Sequence, residues 1–341
     1  MKRSLTLRYI TAIISTFLIL YIFNSLLSPY AIFIVNLIGV FIIATLSLNL
    51  TNGYAGLFSL GHAGFMAVGG YISTILSFPV SRKRLLLSDL PSPLIDLEIP
   101  FTVSVIIGGL ASAVLALLVG LPVLRLRGHY LAVATLGMMV IITALTTNLI
   151  QFTRGPLGIN GIPPYADSYT IYGWVLITVF FIHRIINSRY GRSLKAIRED
   201  ELAASSIGIN VTLMKLMSFV VGGFFAGIAG ALYAHLLTAI VPWTFSFTLT
   251  FDIVIMLIVG GLGSISGSIL GATAITLLKQ TLKPIEESMR VYGIVQLILS
   301  VILILTVIKR SEGILGNREI SFPKKLRIQH MIKKVMFLAS T

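Results

Sequence analysis

The chain has 341 residues, 56% of them hydrophobic and only 11% charged, yet its formal net charge is +14. Soluble domains carry roughly a quarter charged residues, and a mean hydropathy of +0.96 excludes the water-exposed basic fold that a nucleic-acid binder of this charge would need. The lack of any Cys excludes disulfides, thiolate metal sites and cysteine nucleophiles, which leaves a polytopic membrane protein.

Crossing the hydrocarbon core takes ~20 mostly apolar residues. Nine such runs stand at 9–27, 31–48, 54–78, 101–124, 128–150, 170–187, 213–239, 251–280 and 291–308. The first follows Lys2, Arg3 and Arg8 but exceeds the apolar core of ~7 to 15 residues of a signal peptide, and it reads as an uncleaved anchor. Lys and Arg stay on the cytoplasmic side, so with the N-terminus inside, Arg125, Arg127 and the six basic residues from Arg184 to Lys215 are cytoplasmic. One segment breaks the parity. If 251–280 crossed once, the eight basic residues beyond Ile308 would lie outside; two half-helices that turn back around Gly260, Gly261 and Gly263 put them inside. The expected fold is therefore an all-α, polytopic transmembrane helical bundle with about eight full spans plus a glycine-broken re-entrant helix pair. Residues 1–310 form the membrane domain, with a cytoplasmic loop at 188–212, and 311–341 a basic cytoplasmic tail. On this topology 19 of the 26 basic residues lie inside and the outer face is neutral. The outer run Arg82, Lys83, Arg84 goes against the rule.

Residues 49–71, NLTNGYAGLFSLGHAGFMAVGGY, hold six glycines, among them Gly56, Gly61 and Gly64, with Ser59 and His62 at membrane depth. Small residues at this density serve close helix packing or a discontinuous helix beside a transport path. The string GGLGSISGSILGA at 260–272, containing Gly260, Gly261, Gly263 and Ser264, repeats the pattern G-L-x-S about 205 residues on. Ser59 and His62 have no third orienting group and no G-x-S-x-G frame, which argues against hydrolytic chemistry. Asp252 stands near the start of a half-helix, as a cap or a gate; no other carboxylate lies well inside a span, unlike an ion-coupled carrier.

The outer loop TRGPLGINGIPP (153–164) is a shaped turn, and its Gly155, Gly158 and Gly161 suit a connector or a surface for an external partner. From Ser193 to Ile207 the cytoplasmic loop reads as an amphipathic helix capped by Ser193 and Gly208. Leu194, Ile197, Leu202, Ala203 and Ala204 face one way, and Lys195, Arg198, Glu199, Asp200 and Glu201 the other. Such a helix is either a solvated connector or a segment that seats in a groove of another protein, and the capped ends and the Ala pair favour the second. No Gly-Lys dipeptide occurs, hence no phosphate-binding loop, and any ATP-driven work needs a separate subunit docking here. In the tail, Ile328, Met331, Ile332, Val335 and Met336 have the spacing of one helix face beside basic residues, suiting an anionic leaflet.

The blocks at 47–71, LRGHYLAVATLG at 126–137, GPLGINGIP at 155–163, GRSLKAIREDELAASSIGIN at 191–210 and the 260–272 string occur in the order that resembles branched-chain amino acid ABC transporter permeases. RGHYLAVATLG and GPLGINGIP favour the LivM-type subunit over its LivH-type partner; urea-type permeases are the nearest alternative. The resemblance covers about residues 40 to 315. It implies a permease subunit without cofactor or metal, paired with a homologous LivH-type subunit, fed by an extracytoplasmic substrate-binding protein and driven by two ATPase subunits. It places Arg192, Ala196, Arg198, Glu199, Asp200, Ala203, Ala204 and Gly208 in the ATPase-coupling loop. The translocation path is expected from Gly56, Ser59, Gly61, His62, Gly64, Asp252, Gly260, Gly261, Gly263 and Ser264, and external docking from Gly155, Gly158 and Gly161. The chain departs from the family's pattern with Arg154 where a Gly is common and KRSEGILG (309–316) without the usual Pro. A stand-alone channel or secondary carrier is the competing reading.

Overall fold

The computed structural model describes residues 17–18, 20–126, 128–310 and 313–316. The first half of the expected first span, and the expected tail helix, lie outside these residues. The main helices are α1 (Pro29–Leu48), α2 (His62–Ser77), α3 (Phe101–Val123), α4 (His129–Asn148), α5 (Ser168–Ile186), α6 (Arg189–Glu199), α7 (Glu201–Ser206), α8 (Val211–Leu237), α9 (Phe247–Gly260), α10 (Ile265–Met289) and α11 (Ile294–Lys309). Two short strands, β1 (Ile159–Asn160) and β2 (Ala239–Ile240), pair antiparallel.

Six helices among the described residues are long and apolar enough to cross a membrane, or seven if α2 and Val80–Leu86, bent by 114° to each other, count as one span. The expected eight is thus slightly high, for local reasons. The run 54–78 opens on the last residue of a π-turn (Asn49–Tyr54), continues as an irregular stretch, and has only 16 helical residues, in α2. The last run gives another 16-residue helix, α11. The run 251–280 does break at 261–264, and α9 and α10 return on each other as a hairpin. A Cβ on Gly260 would meet Gly267 O at 2.1 Å, and one on Gly271 would meet Met256 O at 2.0 Å, so the two backbones touch in antiparallel register.

Helix starts follow side-chain capping, in which a Ser, Asp or Asn oxygen takes up an amide that the first turn leaves unpaired. Ser28 accepts from Ala31 N, Asp167 from Thr170 N, Asn210 from Leu213 N and Ser264 from Gly267 N. The bundle's centre is the packing of α2, α3 and α8. They cross at three glycines: a Cβ on Gly69 would lie 2.1 Å from Gly227 O, and one on Gly108 would lie 2.7 Å from Gly69 O. In lipid, helices associate by such close backbone approach rather than by hydrophobic burial. Ser112 adds a bond across the crossing, donating to Phe65 O at 2.8 Å.

With 27 residues, α8 is roughly 40 Å long and separates the two ends of the bundle. At one end lie the β1–β2 pair and the 79–100 loop. There the three basic residues that ran against the charge rule are each engaged: Arg82 donates to Gly161 O, buried Lys83 to Leu94 O and Leu97 O, and Arg84 pairs with Asp96 at 2.7 Å. At the other end lie α6, α7, the 49–54 π-turn, the 261–264 turn and residues 313–316, where Ile314 N and Leu315 N donate to Val259 O and Gly260 O. Residues 313–316 therefore close on the end of α9 without a Pro, turning at Gly313 (φ +78°).

Candidate translocation core and coupling face

The two glycine-rich segments meet at a residue that composition did not single out. Asn49, fully buried where α1 gives way to the π-turn, accepts from Gly263 N (2.9 Å) and donates to Ser264 O (2.9 Å) and Ser268 Oγ (2.8 Å). One carboxamide thereby bonds to three polar groups of the hairpin, and Ser264 O also accepts from Ser268 N and Oγ, which makes Gly263 N the group most dependent on it. The fit requires glycine at 53, since a Cβ there would lie 1.7 Å from Asn49 Oδ1. The turn itself needs Gly261 (φ +120°) and Gly263 (φ +82°), conformations that cost a side-chain-bearing residue.

The stretch 55–61 between the π-turn and α2 is also held by side chains. Asn52 accepts from Ser59 N (3.2 Å) and donates to Ser59 O (3.1 Å), while Leu60 N and Ala63 N donate to Thr135 and Thr250 hydroxyls. Ala63 N, in the first turn of α2, thus has a protein partner in this conformation. His62 is buried with Nε2 2.6 Å from Ser47 Oγ; because Ser47 is also 2.7 Å from Ala44 O, a consistent pattern has Ser47 donating to Ala44 and His62 donating to Ser47. Gly61 and Gly64 admit α4: a Cβ on either would press on Met138 or Ile142 within 3 Å. These two glycines therefore serve close packing.

Asp252 does not cap α9. It sits in the second turn, 1% exposed, ion-paired with Lys279 of α10 and 3.4 Å from Gln296 Nε2 of α11. A carboxylate in such surroundings needs its cation, so the pair ties three helices together. It lies toward the opposite end of α9 from Gly260 and Gly263, so the expected path residues form two groups along the hairpin rather than one cluster.

The 188–210 stretch differs from its expected form. It starts at Arg189, not Ser193, and it breaks at Asp200, whose carboxylate accepts from Leu202 N and Ala203 N to start α7. The break changes the helical phase. Leu194, Ile197 and Ala204 face inward as expected, but Leu202 (71% exposed) and Ala203 face outward beside Ile207 (75%), Glu199 and Asp200. Arg192 is exposed, Ala196 partly covered, and Gly208 ends the stretch at φ +86°. Glu201, expected in solvent, binds Lys215 of α8 at 2.6 Å. Arg198 reaches back into the bundle: its Nη1 donates to Gly53 O at 2.7 Å, and its side chain covers Gly56 (φ +68°). Lys195 lies over the Tyr54 ring at 5.7 Å. One exposed helix pair is thereby bonded to the backbone of the first glycine-rich break.

At the far end, Gly155, Gly158 and Gly161 all have positive φ (+57°, +64°, +73°), and a Cβ on Gly158 would lie 2.1 Å from Ile240 O in β2. Arg154 adopts the left-handed conformation as well (φ +60°), so the departure from Gly keeps the turn at a conformational cost. Sequence reasoning missed Ser47, Asn49, Asn52, Thr135, Thr250, Lys279 and Gln296. All are polar residues on apolar helices, and that was the only signal they carried.

A polytopic helical bundle with paired glycine breaks, one of them bonded to a polar helix pair at one end, is the build of a membrane permease. The chain belongs to the family described as branched-chain amino acid transport system / permease component, whose model matches residues 30–307. It is 30% identical over 310 residues to the high-affinity branched-chain amino acid transport system permease protein LivM of Salmonella typhimurium, covering 81% of this chain and 68% of that protein. It is 24% identical over 271 residues to a probable LivM permease of Methanocaldococcus jannaschii, covering 71% and 78%. A LivH permease of Escherichia coli is 29% identical over 151 residues, 44% of this chain and 46% of that protein. No solved structure matches. The resemblance drawn from the sequence blocks is borne out.

Proposed function

We propose that the protein is the LivM-type permease subunit of an ABC importer for branched-chain or similar aliphatic amino acids, with ATP hydrolysed by two separate ATPase subunits. A LivH-type permease completes the membrane path, and an extracytoplasmic binding protein delivers substrate at the Gly155, Gly158 and Gly161 turn. The assembly sits in the cell membrane, with the end that carries α6 and α7 cytoplasmic; the placement of 19 of 26 basic residues on that side supports this orientation.

The observation that carries the mechanism is the Arg198 to Gly53 hydrogen bond. Leu202, Ala203 and Ile207 offer an apolar patch rimmed by Glu199 and Asp200, suited to a groove in a partner. Movement of that partner displaces α6 and α7, and Arg198 passes the displacement to the break between α1 and α2. Rigid helices then tilt about their irregular joints, opening the path alternately to each side.

The test separates docking from transmission. Glu199→Lys should weaken co-purification of the ATPase subunits. Arg198→Met should leave co-purification intact and let ATP hydrolysis run while leucine uptake falls. Normal uptake by both variants overturns the coupling assignment, and leucine uptake by the purified chain alone, without nucleotide, overturns the ABC reading.

A further inference from the structure

A cavity of about 340 Å³ opens between α1, α8 and α10. One wall is apolar, with Phe33, Leu37 and Phe41 of α1 at helical spacing. The facing wall is a polar stripe on α10, with Thr276, Lys279 and Lys283 on one helix face at i, i+3, i+7. From Thr276 to Lys283 is about 10 Å along the helix axis, so the slot is apolar on one side and polar on the other along that whole length.

Thr276 shows that the polar wall is unsatisfied. Threonines in these helices commonly donate to the carbonyl four residues back, as Thr273 does to Ile269 O (2.7 Å) and Thr178 to Trp174 O (2.8 Å). Thr276 is 1% exposed, and its hydroxyl has no partner. Lys279 is committed to Asp252. Lys283, exposed at the mouth, and Glu287 one turn on make no ion pair among the described residues. A lipid acyl chain would fill the volume yet leave the Thr276 hydroxyl unpaired; an aliphatic zwitterion matches both walls.

We propose that this slot is where the chain contacts the amino acid it conducts, an inference that rests on the permease function above. At the mouth, Lys283 receives the carboxylate and Glu287 the ammonium. The aliphatic side chain lies on Phe33, Leu37 and Phe41, and Thr276 supplies the next hydrogen bond inward.

The test uses the complete transporter in lipid vesicles. This chain has no Cys, so Thr276→Cys introduces its single thiol, whose modification by methyl methanethiosulfonate is read by mass on this chain. Leucine in excess should slow modification about fivefold by mass action, and glucose should not. Thr276→Val and Leu37→Trp should lower leucine uptake with partner subunits still co-purifying, while Thr276→Ser retains it. If wild type transports leucine but the thiol is unreactive, or reacts equally fast with leucine present, the slot assignment is overturned. Protection that follows the phosphatidylglycerol content of the vesicles instead of leucine makes it a lipid site and overturns it as well. Wild type that fails to transport any aliphatic amino acid overturns the permease reading itself, and this inference with it.

Discussion

The chain interrupts its helices twice with nearly the same string, Gly-Leu-Phe-Ser at 56–59 and Gly-Leu-Gly-Ser at 261–264, and the two interruptions are built differently. The second is a tight turn in which glycines do the packing: Gly260, Gly267 and Gly271 bring two helix backbones into direct contact. The first is longer and held by side chains, with Asn52, Thr135, Thr250 and Arg198 each taking up a backbone group that no helix satisfies. Hydrogen bonds from side chains can be exchanged for water or for a new partner as helices move, whereas a backbone seated on a backbone can only separate. The first break is therefore suited to change shape, and the second to move as one piece that Asn49 links to the first.

The largest expected effect comes from breaking the backbone contact. Gly271→Val would put a Cβ 2.0 Å from Met256 O. The cost should reach about 3 kcal/mol, the upper part of the overpacking range, visible as a lowered Tm in detergent. A Tm equal to wild type would show that α9 and α10 do not need their contact.

Next is the link between the segments. Asn49→Ala leaves Gly263 N without the side-chain acceptor it has in wild type and should cost ~1–3 kcal/mol, with faster amide exchange confined to 261–264. Unchanged exchange there would mean that the glycine packing holds the turn unaided. The smallest effect tests whether glycine alone matters. Gly137 of α4 has nothing within 4 Å of a Cβ, so Gly137→Ala should shift stability by no more than ~0.5 kcal/mol. In Gly61→Ala, pressed on Thr135 O and Met138, Tm should fall.

The class of fold was legible because apolar runs of span length are a local property. So was the hairpin at 261–264, since parity of the charged loops demanded a return before the basic tail. The amphipathic stretch at 189–207 was recognisable, but its phase was not. Asp200 can be one more exposed charge or the cap of a second helix, and only the choice of cap decides that Leu202 and Ala203 face outward. Asp252 was noticed for its charge alone; its partner Lys279 stands 27 residues away, in a segment where a lysine passes for a loop cation.

Length, hydropathy and the placement of Lys and Arg by themselves determined that the chain is a membrane bundle, how many times it crosses to within one or two spans, and which loop carries an amphipathic helix. These are properties of single segments, set by each residue's transfer free energy between water and lipid. The tertiary structure alone decided that Asn49 clamps a turn more than 200 residues away, that Arg198 bonds to Gly53, and that an unpaired Thr276 faces an apolar wall of α1. In a chain this apolar, hydrophobic pattern cannot choose among helix faces. Partners are selected by a few buried polar groups that must be satisfied, and their pairing exists only once the helices are packed.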